Sequence, residues 1–185
     1  MTRIFNFNPG PSALPLEILE EAAREMTDWR NTGMSILEIS HRSAAYQEIH
    51  DETIELFRRL MNLPSDRSIL FIQGGGSLQF AMVPANFHTN QRAAYMNTGV
   101  WAEKAMKEAA FYGDVYEAAS SADRHHTYIP ENLHLQPGTS YLHITSNNTI
   151  YGTEYRQFPH VPVPLFCDMS SDIPVPSGSL PASLI

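Results

Sequence analysis

One segment constrains this chain more than any other. A short apolar run, Ser68-Ile69-Leu70-Phe71-Ile72, meets Gln73-Gly74-Gly75-Gly76-Ser77 and then a helical pattern from Leu78 into Ala85. Strand, glycine turn and helix in that order open a parallel α/β unit, because a parallel neighbour is reached only by a crossover back over the sheet. The pattern then repeats. Ala93 to Met96 predicts a strand that leads through Asn97-Thr98-Gly99 into a helix from Trp101 to Ala110. Asp114–Glu117, Tyr141–Thr145 and Val163–Cys167 are further short strands, and the polar stretch Ser120–Gly138 reads as loop. Strands alternating with helices specify a mainly parallel, doubly wound sheet.

Upstream, Leu16, Leu19, Ala23, Met26 and Trp29 recur at three- and four-residue steps and predict a helix with Pro15 at its start. A second helix is expected over Ala44–Leu60, with Ile49, Thr53, Leu56 and Leu60 on one face. The opening Asn6-Phe7-Asn8-Pro9-Gly10-Pro11-Ser12 is turn chemistry. After Asp172 the pattern fails: Ile173 to Ile185 has three prolines, no charge and no period. The expected organisation is an arm over 1–15, an α/β domain over 16–172 and a tail over 173–185 that does not belong to it.

Composition excludes some functions. With 185 residues, 43% of them hydrophobic, the chain suffices for one α/β core or part of a larger domain. A net charge of −8 argues against nucleic acid or an anionic membrane surface as the main partner. No apolar run reaches bilayer length, and Met1-Thr2-Arg3-Ile4-Phe5-Asn6 lacks a signal-peptide layout. Cys167 stands alone, which excludes an internal disulfide and fits a reducing compartment, so the expected location is cytoplasmic.

Several residues are placed to do chemistry, each beside a plainer alternative. Gly76 and Ser77 lie where a helix N-terminus presents backbone amides to an anion, or simply where the chain turns. The run lacks the later Gly or Gly-Lys of the dinucleotide and Walker A loops. Asp168 follows a strand, where open α/β sheets place ligands; its carboxylate either pairs with a protonated ring nitrogen or caps a turn through Ser170 and Ser171. Trp101 either stacks on a planar ligand or fills the core. The Thr149 hydroxyl either bonds a ligand oxygen or closes its own turn. His41 and Arg42 form an anion-binding pair or a solvated turn. His125, His126 and His134 have no cysteine or carboxylate completing a familiar metal spacing.

Together these pieces are more specific. Asn6–Pro15, Met34-Ser35-Ile36-Leu37-Glu38-Ile39-Ser40-His41-Arg42-Ser43 and Phe71-Ile72-Gln73-Gly74-Gly75-Gly76-Ser77-Leu78-Gln79-Phe80 strongly resemble the phosphoserine aminotransferases, a family of class V pyridoxal-phosphate enzymes. Thr98-Gly99-Val100-Trp101, Asn148-Thr149-Ile150-Tyr151-Gly152 and Asp168-Met169-Ser170-Ser171-Asp172 follow in the family's order. The nearest alternatives are alanine–glyoxylate aminotransferases and cysteine desulfurases of the same class; a desulfurase usually carries His where Trp101 stands, and Gln73–Phe80 with Ser40–Ser43 also favours the phosphoserine family.

The resemblance implies a three-layer large domain of the aspartate-aminotransferase type. It also implies transfer of an amino group between L-glutamate and 3-phosphohydroxypyruvate, with pyridoxal phosphate as cofactor, in L-serine biosynthesis. Carried over, Gly76 and Ser77 hold the cofactor phosphate, Trp101 stacks on the pyridine ring, Thr149 bonds its phenolic oxygen and Asp168 pairs with the ring nitrogen. Arg42 and His41 contact the substrate's acidic group near a homodimer interface. The family's Schiff-base lysine lies roughly two dozen residues past the position of Asp168, in an Ala-Gln-Lys-Asn stretch. It is not among residues 1–185, whose two lysines, Lys104 and Lys107, read as solvated surface charge. No catalytic residue is therefore assigned. The C-terminal small domain is also expected to be absent, and a truncated or frame-shifted, non-catalytic product is the alternative expectation.

Overall fold

The computed structural model describes residues 3–8, 13–89 and 92–173. The prolines of the opening turn and all of the expected tail except Ile173 lie outside them. The chain divides into two compact units, Met1–Ile69 and Leu70–Ile185.

In the first unit, helix α1 spans Leu16–Glu25, shorter than the apolar stripe predicts. It stops because the next residues close on themselves. Gly33 N–H donates to Asp28 Oδ1 at 2.8 Å and Trp29 N–H to the Met34 carbonyl at 2.8 Å, while Arg30 and Asn31 take left-handed φ values of 47° and 60°. Trp29 is buried in this loop, and Arg30 ion-pairs with Glu48 and Glu52 of the following helix. A capping box at Ser35 and Glu38 sets a single 3-10 turn, Ile36–Glu38.

Helix α2, Ala44–Leu60, has its expected bounds. Ser43 caps it by accepting from Tyr46 N–H at 3.2 Å, and Arg58 and Arg59 sit favourably in its last turn. Asn62, at φ 49°, ends it with Leu63 N–H bonded to the Arg58 carbonyl at 2.9 Å.

The run Ser68–Ile72 is not a strand, contrary to expectation: its backbone is irregular, and Leu70 and Ile72 are 75% and 53% exposed. β geometry is held by ladder partners, and the sheet of the second unit does not include this segment.

In the second unit helix α3 spans Gly75–Phe87, beginning at the glycines and not at Leu78. Gly74 precedes it at φ 105°, where an added Cβ would strike the Leu78 side chain. Pro84 lies within α3 and is buried beside the helix's other core residue, Phe80. Strand β1 (Arg92–Asn97) leads into helix α4 (Val100–Ala109), then β2 (Asp114–Ser120) and β3 (Thr139–Thr145). A two-residue antiparallel pair not foreseen in the sequence, β4 (Asn147–Asn148) and β5 (Thr153–Glu154), precedes β6 (Leu165–Asp168).

The sheet runs β2-β1-β3-β6, and every pairing is parallel. Alternate residues feed its two faces. Tyr95, Tyr141 and Phe166 pack with Phe80 of α3 and with Ala105 and Ala109 of α4, whose small side chains let the helix settle on the strands. Met96, Leu142, Ile144 and Leu165 form the other face with Tyr155, flanked by Ile129, Leu133 and Val161 from the connecting loops. The Tyr95 and Tyr141 hydroxyls, buried in the first cluster, bond each other at 2.8 Å. Among the described residues no helix is long and apolar enough to cross a membrane.

Candidate cofactor site

A parallel sheet puts all its strand carboxyl ends on one edge, where ligands of open α/β folds bind. Here that edge carries Asn97 opposite Ser120 and Thr145 opposite Asp168. The segments leaving it carry most of the residues singled out above.

Trp101 lies in the first turn of α4, just past β1, and is half-buried. Its indole Nε1–H donates to Thr149 Oγ1 at 3.3 Å, so two residues 48 positions apart meet. The turn bearing Thr149 is closed by the Asn148 carbonyl, which accepts from Tyr151 and Gly152 N–H at 3.1 and 2.9 Å. The hydroxyl is therefore not spent on the turn. A hydroxyl has one hydrogen and two lone pairs. With one lone pair taken by the indole, its own hydrogen remains for a ligand oxygen.

Lys104 is exposed, as expected of a surface charge, and also touches the site. Its ammonium lies 4.4 Å from the centroid of the Trp101 ring, one helical turn away, a cation–π contact that covers one indole face. Lys107, in the last turn of α4, is exposed.

Asp168 ends β6. Its Oδ1 accepts from Ser170 N–H at 3.1 Å and from Ser170 Oγ–H at 2.5 Å, the turn-capping geometry anticipated for it; Oδ2 takes no bond among the described residues. Ser170 also faces the start of α3: a Cβ on Gly76 would stand 3.0 Å from Ser170 Oγ. A Cβ there would push Ser170 Oγ back by a few tenths of an ångström, so glycine suits the close approach of the helix end to the turn that holds Asp168. No side chain caps α3, so its first amides, with exposed Ser77 among them, remain available to an anion.

Other residues around Asp168 have no clear functional signal in the sequence. Ser146 Oγ lies 2.9 Å from the Asp168 carbonyl and 2.7 Å from Asp172 Oδ1, so its single hydrogen serves two acceptors and ties the β3 end to the turn after β6. Desolvation raises the Asp172 carboxyl above the usual range. His143 is buried, stacked on Tyr95 at 5.0 Å. Burial pushes its pKa down to about 4, with the Asp168 charge opposing, so the ring is neutral at pH 7. Cys167 is pushed up to about 12 by burial, which leaves it a thiol and no nucleophile.

His41 and Arg42 belong to the Met1–Ile69 unit, exposed in the turn before α2, where Arg42 N–H donates to Ser40 Oγ at 3.3 Å. His125 is exposed whereas His126 is buried, and among the described residues no three His, Cys, Asp or Glu stand together as a metal-ligand set.

The donor set fits pyridoxal phosphate. An uncapped helix N-terminus would suit its phosphate charge, a half-buried indole its ring, a hydroxyl hydrogen its phenolic oxygen and a carboxylate oxygen its nitrogen.

The class-V aminotransferase profile matches residues 4–174. The phosphoserine aminotransferase of Lysinibacillus sphaericus is 52% identical over 175 residues, covering 92% of this chain and 48% of the relative. The structure of the phosphoserine aminotransferase from Bacillus circulans subsp. alkalophilus superposes with a TM-score of 0.89 at 49% identity, over 92% of this chain and 48% of that one. The pyridoxal-phosphate-bound enzyme from Trichomonas vaginalis superposes at 0.85 with 40% identity, over 92% and 49%. The chain thus spans about half the length of the curated relatives it matches. On the profile match, the identity and the shared parallel α/β fold, the chain belongs to the class V aminotransferase family.

Proposed function

We propose that this chain provides the cofactor-cradling part of a phosphoserine aminotransferase, which moves an amino group between L-glutamate and 3-phosphohydroxypyruvate in the cytoplasm. The observation that carries the reading is the convergence of Trp101, Thr149, Asp168 and the α3 N-terminus on one sheet edge. The expected domain over 16–172 and the homodimer, with Arg42 and His41 toward substrate, belong to the same proposal.

Each residue has a separate task. The amides of Gly76 and Ser77 hold the phosphate on the positive end of the helix dipole. Trp101, fixed by its bond to Thr149, offers the indole face that Lys104 leaves open. Thr149 donates its free hydrogen to the phenolic oxygen. Asp168, steadied through Oδ1 by Ser170, keeps a proton on the ring nitrogen through Oδ2. Pyridoxal phosphate, when bound, supplies the electron sink for breaking bonds at the substrate's α-carbon. By the resemblance, the lysine that binds the cofactor covalently stands beyond residue 185, so residues 1–185 alone are expected to bind but not to turn over substrate.

Pyridoxine 5′-phosphate tests this reading, because without an aldehyde it cannot react with Lys104 or Lys107. Titrated into the chain, it should quench indole emission saturably, and Trp101→Phe should abolish the quench. Asp168→Ala should weaken binding. Absence of saturable binding at millimolar ligand would overturn the proposal.

A further inference from the structure

Trp101 and Thr149 lie on segments that leave the sheet from different strands, and His126 contacts both segments beside the pair. It lies past β2 with φ 58°, a left-handed value uncommon outside glycine but more accessible to His and Asn than to most residues. It is nevertheless only 6% exposed. Its backbone N–H donates to the Ser121 carbonyl at 2.9 Å, and its Nδ1 lies 3.3 Å from Ser121 Oγ. Ser121 N–H in turn bonds the Asn97 carbonyl at the end of β1, at 3.1 Å.

The far side of the ring reaches both site-bearing segments. His126 Nε2 is 3.9 Å from Glu103 Oε1, two residues past Trp101 on α4. Its ring packs against Tyr151, two residues past Thr149, at 4.9 Å between centroids. The Tyr151 ring also lies against Gly99, where an added Cβ would fall 2.6 Å from Tyr151 Cδ2. One imidazole thus touches the segments that leave β1, β2 and β3. Ser121, His126 and Glu103 look like a nucleophile–base–acid series, but Ser121 is fully buried, so no substrate reaches its hydroxyl.

We propose that His126 is a positioning residue for the cofactor site, holding the Thr149–Tyr151 turn against helix α4 so that the Trp101–Thr149 hydrogen bond forms before any ligand arrives. Its importance to the cofactor rests on the reading of Trp101 and Thr149 given above. The clamp itself does not, and the two are tested separately.

His126→Asn is the informative substitution, since Asn also tolerates the left-handed backbone but is too short to reach Tyr151 and Glu103 together. The 185-residue chain labelled with 5-fluorotryptophan has two fluorine signals, from Trp29 and Trp101. Thr149→Val, which removes the indole's acceptor, defines the shift that reports loss of the bond. His126→Asn should move the Trp101 signal toward that position and leave the Trp29 signal in place in a chain that remains folded, a combination that general unfolding does not produce. Affinity for pyridoxine 5′-phosphate should fall on the order of fivefold, the scale of one hydrogen bond. Tyr151→Leu keeps His126 but removes the ring it packs on, and should give the same Trp101 shift. It decides the matter if His126→Asn does not fold. An unmoved Trp101 signal in a folded His126→Asn chain, or in Tyr151→Leu, overturns the proposal. A moved signal in a chain that never binds pyridoxine 5′-phosphate supports the clamp and sinks the cofactor reading instead.

Discussion

Replacing Gly99 with alanine should damage this chain more than its size suggests, because two costs fall on one methyl group. Gly99 sits at φ 139° and ψ −165°, a region that side-chain-bearing residues avoid, at a strain of about 1–3 kcal/mol. The added Cβ would also lie 2.6 Å from Tyr151 Cδ2 and 2.7 Å from Asn148 Nδ2. Asn148 is fully buried, and Tyr151, although 39% exposed, has His126 packed on its ring, so relieving the overlap displaces one of them and costs about 1–3 kcal/mol more. The sum, about 2–6 kcal/mol, is a large part of what holds an ordinary domain together. Gly75→Ala is the control. Its φ is 59°, but nothing lies within 4 Å of the added Cβ, so only left-handed strain of about 1–2 kcal/mol applies. Urea unfolding at pH 7, followed by circular dichroism, measures both. If Gly99→Ala loses no more stability than Gly75→Ala, the close packing of the Tyr151 turn on the start of α4 is wrong.

Other outcomes follow from the buried polar groups and from the site. Tyr95→Phe should cost about 1–3 kcal/mol by leaving the Tyr141 hydroxyl unpaired in the core, and adding Tyr141→Phe should recover part of it in a double-mutant unfolding cycle. Burial holds folded His143 near 4, below the ordinary 6.5 of an imidazole, so the unfolded chain binds the extra proton between those values. Its contribution, about 3 kcal/mol, is therefore present above pH 6.5 and lost as pH falls toward 4. His143→Phe should flatten that part of the stability profile relative to the parent, whereas an unchanged slope would show that the ring is not buried neutral. In a complete enzyme, Asp168→Ala should lower turnover far more than unfolding stability. Near-normal turnover would remove Asp168 from the ring nitrogen.

Much of the architecture was legible in the sequence because it is written in local periodicity. The three-and-four spacing of α2, the capping Ser43 and the Arg58–Arg59 end specify that helix without reference to anything distant. The alternation of strands and helices past Leu78 specifies a parallel sheet, since that connection admits few other solutions. Motif order brought Gly76, Ser77, Trp101, Thr149 and Asp168 to notice, each with a plain alternative that spacing could not remove.

What the sequence left open depended on partners. Ser68–Ile72 has strand composition, yet a strand exists only where a ladder receives it, and the four-stranded sheet does not. The stripe from Leu16 promised a helix as far as Trp29, but the bonds from Gly33 to Asp28 and from Trp29 to Met34 closed a loop first. Lys104 is the exposed charge the sequence suggested, but only the fold set it over Trp101, and His126 had no visible role until β1, β2 and β3 brought Ser121, Glu103 and Tyr151 around it. Periodicity records which face of an element is apolar. Which side chains meet across elements is decided only when parallel strands align their carboxyl ends, and that alignment brings together residues 48 positions apart, as in Trp101 and Thr149.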